Sequence, residues 1–275
     1  MELYNDTCFE CSKLITERYS TSFSRGIKAF NKRFRNPIYA IYGFVRYADE
    51  IVDTFHEHDK HQLITDFKQQ AFTAIEQKIS LNPVLQSFQL VVNQYHIEKD
   101  LICSFLNSME MDIDRTTFNT DEYVAYIHGS AEVIGLMCLH VFCEGDKALY
   151  QELAPPARSL GSALQKINFL RDIKADYAER GRIYFPGVDF CNFTNEVKRQ
   201  IEADIEKDLN EGFKGIKQLP KGAKLGVYIA YSYYYRLFKK ICNTPADMIL
   251  QKRVRISDTH KLILYFNAVL RHKLL

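Results

Sequence analysis

A chain of 275 residues in which 47% are hydrophobic and 25% charged has enough apolar matter for a large core. This excludes a mainly disordered chain, a collagen and a disulfide-stapled miniprotein. Its 36 basic and 34 acidic residues are interspersed, so there is no electrostatic footprint for nucleic acid, and no nucleic-acid partner is expected.

Apolar residues recur at i, i+3, i+4 and i+7 nearly throughout, with only 12 glycines and 7 prolines as punctuation. Helices are predicted over 8–31, 37–55, 60–79, 83–94, 97–114, 121–144, 149–178, 195–217, 222–243 and 257–273. Asn36-Pro37 and Asn82-Pro83 each put proline at a first helical position. Thr120 reads as an N-cap followed by the acids Asp121 and Glu122, and Gly145 and Gly181 as helix stops. The stretch 133–143 is interrupted by His140 and is too short to span a bilayer. Residues 1–6 carry acids and no apolar run follows them, so no signal peptide is expected. Cys8 and Cys11 form a lone CxxC, while Cys103, Cys138, Cys143, Cys191 and Cys242 sit in apolar surroundings; all read as reduced thiols. His56, His58 and His61 read as part of a solvated connection. The expectation is one all-α domain over 1–275, a helical bundle around a central apolar cavity, in a cytoplasmic protein.

Two segments carry polar stripes. At about 100° per residue, Tyr42, Arg46, Asp49 and Asp53 share a sector of roughly 60°. Gln165, Asn168, Asp172 and Asp176 share one of about 80°, with Gly161 and Ala175 in or beside it and expected to leave space. The remaining faces are mostly apolar, the inverse of an ordinary surface helix. Such helices are expected to be buried with their carboxylates inward, which is costly without a compensating cation or donor. Two DxxxD pairs supply oxygen ligands of the kind Mg²⁺ shares with substrate phosphates. Arg46 and Arg171 are partners either for those acids or for a diphosphate.

At these residues the chain resembles the squalene/phytoene synthase family, which joins two allylic diphosphates head to head. Tyr19-Ser20-Thr21-Ser22-Phe23 is similar to the family's N-terminal substrate motif. IYAIYGFVRYADEIVD, residues 38–53, resembles its first aspartate-rich motif, and ALQKINFLRDIKADYAERGRIYFP, residues 163–186, the second. The likeness extends through YIHGSAEVIGLM, residues 126–137, and YYYRLF, residues 233–238. It implies an isoprenoid-synthase fold with Asp49, Asp53, Asn168, Asp172 and Asp176 at metal-associated positions. It implies that Arg46, Arg171, Tyr42 and Gln165 hold diphosphate or shape the pocket. Tyr19, Ser20, Thr21, Ser22, Phe23 and Tyr234 follow as substrate-binding residues.

The resemblance further implies a prenyltransferase of carotenoid biosynthesis using Mg²⁺, with Mn²⁺ as the alternative, and no NADPH. Phytoene from two geranylgeranyl diphosphates is the first expectation; dehydrosqualene or squalene from farnesyl diphosphate is the second. A non-catalytic assembly factor on the same fold is a reading of another class, opposed by the intact DxxxD pairs. Isoprenyl diphosphates and, transiently, a membrane surface are the expected partners. Glu50 replaces an aspartate but lies off the stripe. Glu132 stands where glycine is common and is expected to alter the pocket, while Ile27 is expected to line it.

Overall fold

The computed structural model describes residues 1–188 and 192–272, with all their side chains except those of 178–180; Cys191 and position 273 therefore lie outside the described residues. The helices are α1 Glu2–Tyr19, α2 Thr21–Lys28, α3 Lys32–Asp53, α4 Lys60–Gln77, α5 Pro83–Tyr95, α6 Lys99–Asp114 and α7 Thr120–Ile127. A π-helical turn, His128–Glu132, follows. Then come α8 Val133–Cys143, α9 Lys147–Arg180, α10 Asn195–Gln218, α11 Lys221–Cys242, α12 Ala246–Gln251 and α13 Asp258–Arg271. One apolar core runs from Ile27 to Ala268, and α3 and α9 both contribute to it, with their polar stripes turned to a shared cavity that separates them.

Four boundaries depart from the sequence expectation. The first helix begins at Glu2 and is broken at Ser20, whose extended backbone (φ −144°, ψ 106°) ends α1 and caps α2. The Phe23 amide donates to Ser20 Oγ at 3.2 Å, satisfying one of the orphan donors at a helix start. Next, α3 starts at Lys32 under the cap of Asn31, so Pro37 lies inside the helix and forfeits only the bond to the carbonyl four residues back. The cap of α7 is Asn119, not Thr120, in a reciprocal capping box with Glu122. A short α12 was not foreseen.

The helix expected over 121–144 is interrupted by the π turn for a tertiary reason. A Cβ on Gly129 would lie 2.4 Å from the Ser104 carbonyl oxygen of α6, and one on Gly161 2.8 Å from the Ala131 carbonyl oxygen. The widened turn presses backbone against both neighbours, as single-turn π bulges do. Gly161 thus admits the π turn and also lines the cavity. Thr120–Cys143, 24 residues that contain an 18-residue window of mean hydropathy 1.4, is the one stretch among the described residues long and apolar enough to cross a membrane. Of that window 56% is buried within the bundle, where it serves as core.

Beyond α9, Gly181 takes the left-handed conformation (φ 65°) that ends the helix. The Ile183 amide then donates to the Thr116 carbonyl at 2.7 Å. This tie draws the segment after α9 onto the segment after α6, which sets Arg182 and Tyr184 over Asp112.

Candidate active site

The cavity has a volume of about 640 Å³ and takes its walls from α2, α3, α6 to α11 and the segment before α13. Both stripes reach it: Tyr42, Arg46, Asp49 and Asp53 from α3, and Gln165, Asn168, Arg171, Asp172 and Asp176 from α9. Asp112, Arg182, Tyr184 and Arg253 also line it, and the rest of the wall is mainly apolar, with Ile27, Ile134, Leu160 and Leu164 along it and Phe30 and Phe142 packed together at 5.1 Å between ring centres. The cavity is therefore polar on one side and greasy over the rest.

On α3 the Arg46 guanidinium bonds Glu50 at 2.5 Å, stands 3.8 Å from Asp49 and lies 4.4 Å over the Tyr19 ring. Its Nε is buried with no hydrogen-bond partner, a donor held ready for an anion. Asp49 retains 35% of its side-chain exposure, on the cavity side. Burial pushes its carboxyl up to about 7, against the pull of Arg46 and with a further push from Asp53 and Asp112. Burial also raises the Tyr42 hydroxyl to about 12, where it is hydrogen-bonded with Ser20.

On α9, Asp172 is gripped by two guanidinium groups. Arg171 donates to it at 3.0 and 2.5 Å, and Arg253, from the segment before α13, at 2.6 and 3.1 Å. The Tyr234 hydroxyl donates to Asn168 at 3.3 Å, and the Asn168 amide to Gln165 at 3.4 Å, a chain that ties α11 to α9. Phe23 lies between the two walls, 5.9 Å from the Tyr42 ring and 6.1 Å from that of Tyr234.

Four of the expected substrate residues do not line the cavity. Tyr19 is 51% exposed and reaches the site only through Arg46, and Ser20 only through Tyr42 and its cap. Thr21 is exposed and Ser22 half-buried, neither on the wall. Glu132 likewise does not intrude. It turns outward to His128 (2.9 Å) and Arg158 (2.8 Å), because the π turn points its side chain to the far face of α9. Glu50 is off the wall as expected, bonded to Arg46.

Sequence reading missed a group centred on Asp112 of α6. This carboxylate is 7% exposed and accepts from the Tyr126 hydroxyl at 2.6 Å and the Tyr184 hydroxyl at 3.3 Å. Arg182 donates to its backbone carbonyl at 2.6 Å and stands 3.7 Å from Asp53. Burial raises the Asp112 carboxyl to about 6, with Arg182 and the tyrosines pulling down and Asp53 pushing up. A second missed member is Arg253. Tyr126 and Arg182 lie in runs that carried the resemblance; nothing local singles out Asp112 or Arg253.

The sequence profile of the squalene/phytoene synthase family matches residues 16–260. The chain belongs to the squalene/phytoene synthase family. Its members are prenyltransferases and are generally dependent on a divalent metal. A 4,4'-diapophytoene synthase of Staphylococcus haemolyticus is 27% identical over 199 residues, 70% of this chain and 67% of that one. Phytoene synthase 1, chloroplastic, of Zea mays is 26% identical over 86% of this chain, which spans only 61% of the maize protein. Among solved structures, a dehydrosqualene synthase in complex with ligand superposes with a TM-score of 0.82 over 98% of both chains at 20% identity, a likeness of fold.

Proposed function

We propose that this member of the family condenses two geranylgeranyl diphosphates head to head to phytoene without a reductant. The observation that carries the reading is the pair of aspartate stripes of α3 and α9 lining, with Asp112, Arg182 and Arg253, the polar end of one cavity whose remaining wall is mainly apolar. A charged head and a long hydrocarbon tail ask for that division.

The residues also suit Mg²⁺. Among the described residues no three acidic, histidine or cysteine groups stand close enough to hold an ion alone. Mg²⁺ commonly takes only one or two carboxylates, the rest of its shell being phosphate oxygens and water. Burial and crowding hold Asp49 and Asp112 at raised values, the condition a bound cation relieves. Asp49, Asp53, Asp172 and Asp176, with Asn168, are the residues that hold it in this reading. When bound, the ion neutralises charge on the departing diphosphate.

Arg46 Nε binds one diphosphate head, and Arg171 and Arg253 turn from Asp172 to phosphate oxygens, freeing Asp172. The C1–O bond of the first substrate breaks and diphosphate leaves. The double bond of the second substrate attacks C1, and loss of a proton closes a cyclopropylcarbinyl diphosphate. Its own C–O bond then breaks, the ring opens to a central allylic cation, and loss of a second proton leaves the triene. Two substrates become one hydrocarbon, two diphosphates and two protons, so no electrons are required. Ring faces of Phe23, Tyr42 and Tyr234 border the polar end and stabilise the cations, and the apolar wall excludes water.

A second reading, dehydrosqualene from two farnesyl diphosphates, is favoured by the staphylococcal relative. Purified protein with Mg²⁺ and either substrate, without reductant, separates the readings by mass spectrometry of the hydrocarbon. A C40 triene supports the proposal, and a C30 product from farnesyl diphosphate alone supports the second reading. No turnover, with EDTA leaving thermal stability unchanged, moves the chain to the non-catalytic reading.

A further inference from the structure

The helix α13 carries a face that none of the described residues covers. Leu262 is 47% exposed, Ile263 49%, Phe266 58% and Leu270 68%. At about 100° per residue these four fall within a sector of roughly 100°, with Thr259 the only polar residue inside it. The helix is held to the bundle by its opposite side, where Ala268 is 2% exposed and Lys261 lies 5.7 Å over the Tyr233 ring of α11. An ordinary surface helix has one apolar stripe, turned inward. This one has two, and the second faces out.

The setting is basic. From 252 to 272 there are five basic residues and one acid, Asp258; Arg253 is bonded to Asp172 and Lys261 faces the bundle, which leaves Lys252, Arg255 and Arg271 at the exposed surface. Lys240 of α11 joins them, donating to the Arg255 carbonyl at 2.6 Å. An outward apolar stripe with cations around it is complementary to an anionic lipid surface, where greasy side chains enter the acyl boundary and cations meet headgroups. Location adds to this. Arg253, five residues before α13, lines the cavity, and α11 beneath the helix supplies Tyr231 and Tyr234 to its wall.

We propose that α13 docks the protein on an anionic bilayer, with Leu262, Ile263, Phe266 and Leu270 entering the lipid and the cavity beside it at the membrane surface. The docking stands on the surface of α13 alone. Its use, taking up a lipid-tailed substrate and releasing an insoluble hydrocarbon into lipid, rests on the proposed function.

The test is flotation of the full chain, without substrate, on vesicles of phosphatidylcholine with phosphatidylglycerol and of phosphatidylcholine alone. The native chain is expected to float with the anionic vesicles, less so at high salt, and weakly with the neutral ones. Phe266→Ser with Leu270→Ser, and separately Leu262→Ser with Ile263→Ser, are expected to lower the bound fraction by about tenfold. Arg255→Gln with Arg271→Gln is expected to remove the preference for anionic lipid. Because these side chains are exposed, the variants keep the native melting temperature, and the second serine pair serves if the first does not fold. Native-like flotation of a folded serine variant overturns the proposal, as does native protein that stays with neither vesicle. A dimer in sedimentation that the serine variants dissolve, without vesicle binding, also overturns it and makes the face a contact between copies. Hydrocarbon synthesis in detergent, measured in parallel, reports on the reaction independently of docking.

Discussion

Asp112 offers a direct reading of how the polar end of the cavity is charged. Its carboxyl is raised from 3.8 to about 6, which corresponds to about 3 kcal/mol at about 1.4 kcal/mol per tenfold change in proton affinity. Its side chain is 9% exposed, so solvent screening removes little of this. The folded protein holds the proton more tightly than the unfolded chain. The group is therefore neutral to stability at strongly acid pH, and its penalty develops as pH rises from about 4 through about 6. About half, roughly 1.5 kcal/mol, falls between pH 5 and pH 8. Asp112→Asn removes the titration while keeping its bonds, since the amide oxygen accepts from Tyr126 and the NH₂ donates to the Tyr184 hydroxyl. The expected result in metal-free buffer is a variant that gains on the native protein by about 1.5 kcal/mol between pH 5 and pH 8. For 275 residues that is about 2–3 °C in melting temperature. Paired denaturation curves at the two pH values measure it. A difference between the proteins that does not change with pH refutes the argument that the buried charge of Asp112 is only partly compensated by Arg182 and the two tyrosines.

The same crowding predicts how metal acts. Mg²⁺ is expected to raise the melting temperature at pH 8 and less at pH 5.5, below the raised values of Asp49 and Asp112, where protons already relieve the repulsion. At a hundredfold excess over Kd the rise is worth about 2.7 kcal/mol, and EDTA reverses it; an equal rise at both pH values contradicts this. Arg253→Gln is expected to lower kcat/KM by about 10- to 100-fold with the fold intact, through loss of a charged donor to diphosphate. Steady-state kinetics with unchanged melting checks it, and native kinetics count against a role for Arg253. Gly226→Ala is expected to cost about 1–3 kcal/mol, because its Cβ would lie 2.3 Å from Phe30 Cε1 and 2.5 Å from the Gly26 carbonyl oxygen. Unchanged stability in a urea titration would mean that α2 and α11 have room to part.

What the sequence made legible was whatever depends on helical period alone. The stripes of α3 and α9 were readable because Tyr42, Arg46, Asp49 and Asp53 recur at three and four residues, and the folded chain keeps them on one wall. The family motifs lie on those same helices. What escaped depends on partners distant in sequence. The break at Ser20 is a local cap, but its effect, setting Tyr19 under Arg46, needs α3 alongside. The π turn is decided by Ser104 and Gly161, 25 or more residues from Gly129, and it turns Glu132 away from the pocket it was expected to crowd. Asp112 has no acid at stripe spacing that reaches the cavity, and becomes part of the site only when the Thr116–Ile183 contact brings Arg182 and Tyr184 over it. Arg253 stands in an irregular segment and meets Asp172 across 81 positions of chain.

The central claim is that both aspartate stripes serve one head-to-head condensation. The stoichiometry of diphosphate release against hydrocarbon formed, with geranylgeranyl diphosphate, Mg²⁺ and no reductant, tests it most directly. The proposed reaction releases two diphosphates for each C40 triene, and Asp49→Asn and Asp172→Asn each abolish both products while the protein stays folded. One diphosphate per product with a longer diphosphate or an alcohol formed instead, or undiminished turnover in both variants, would contradict it.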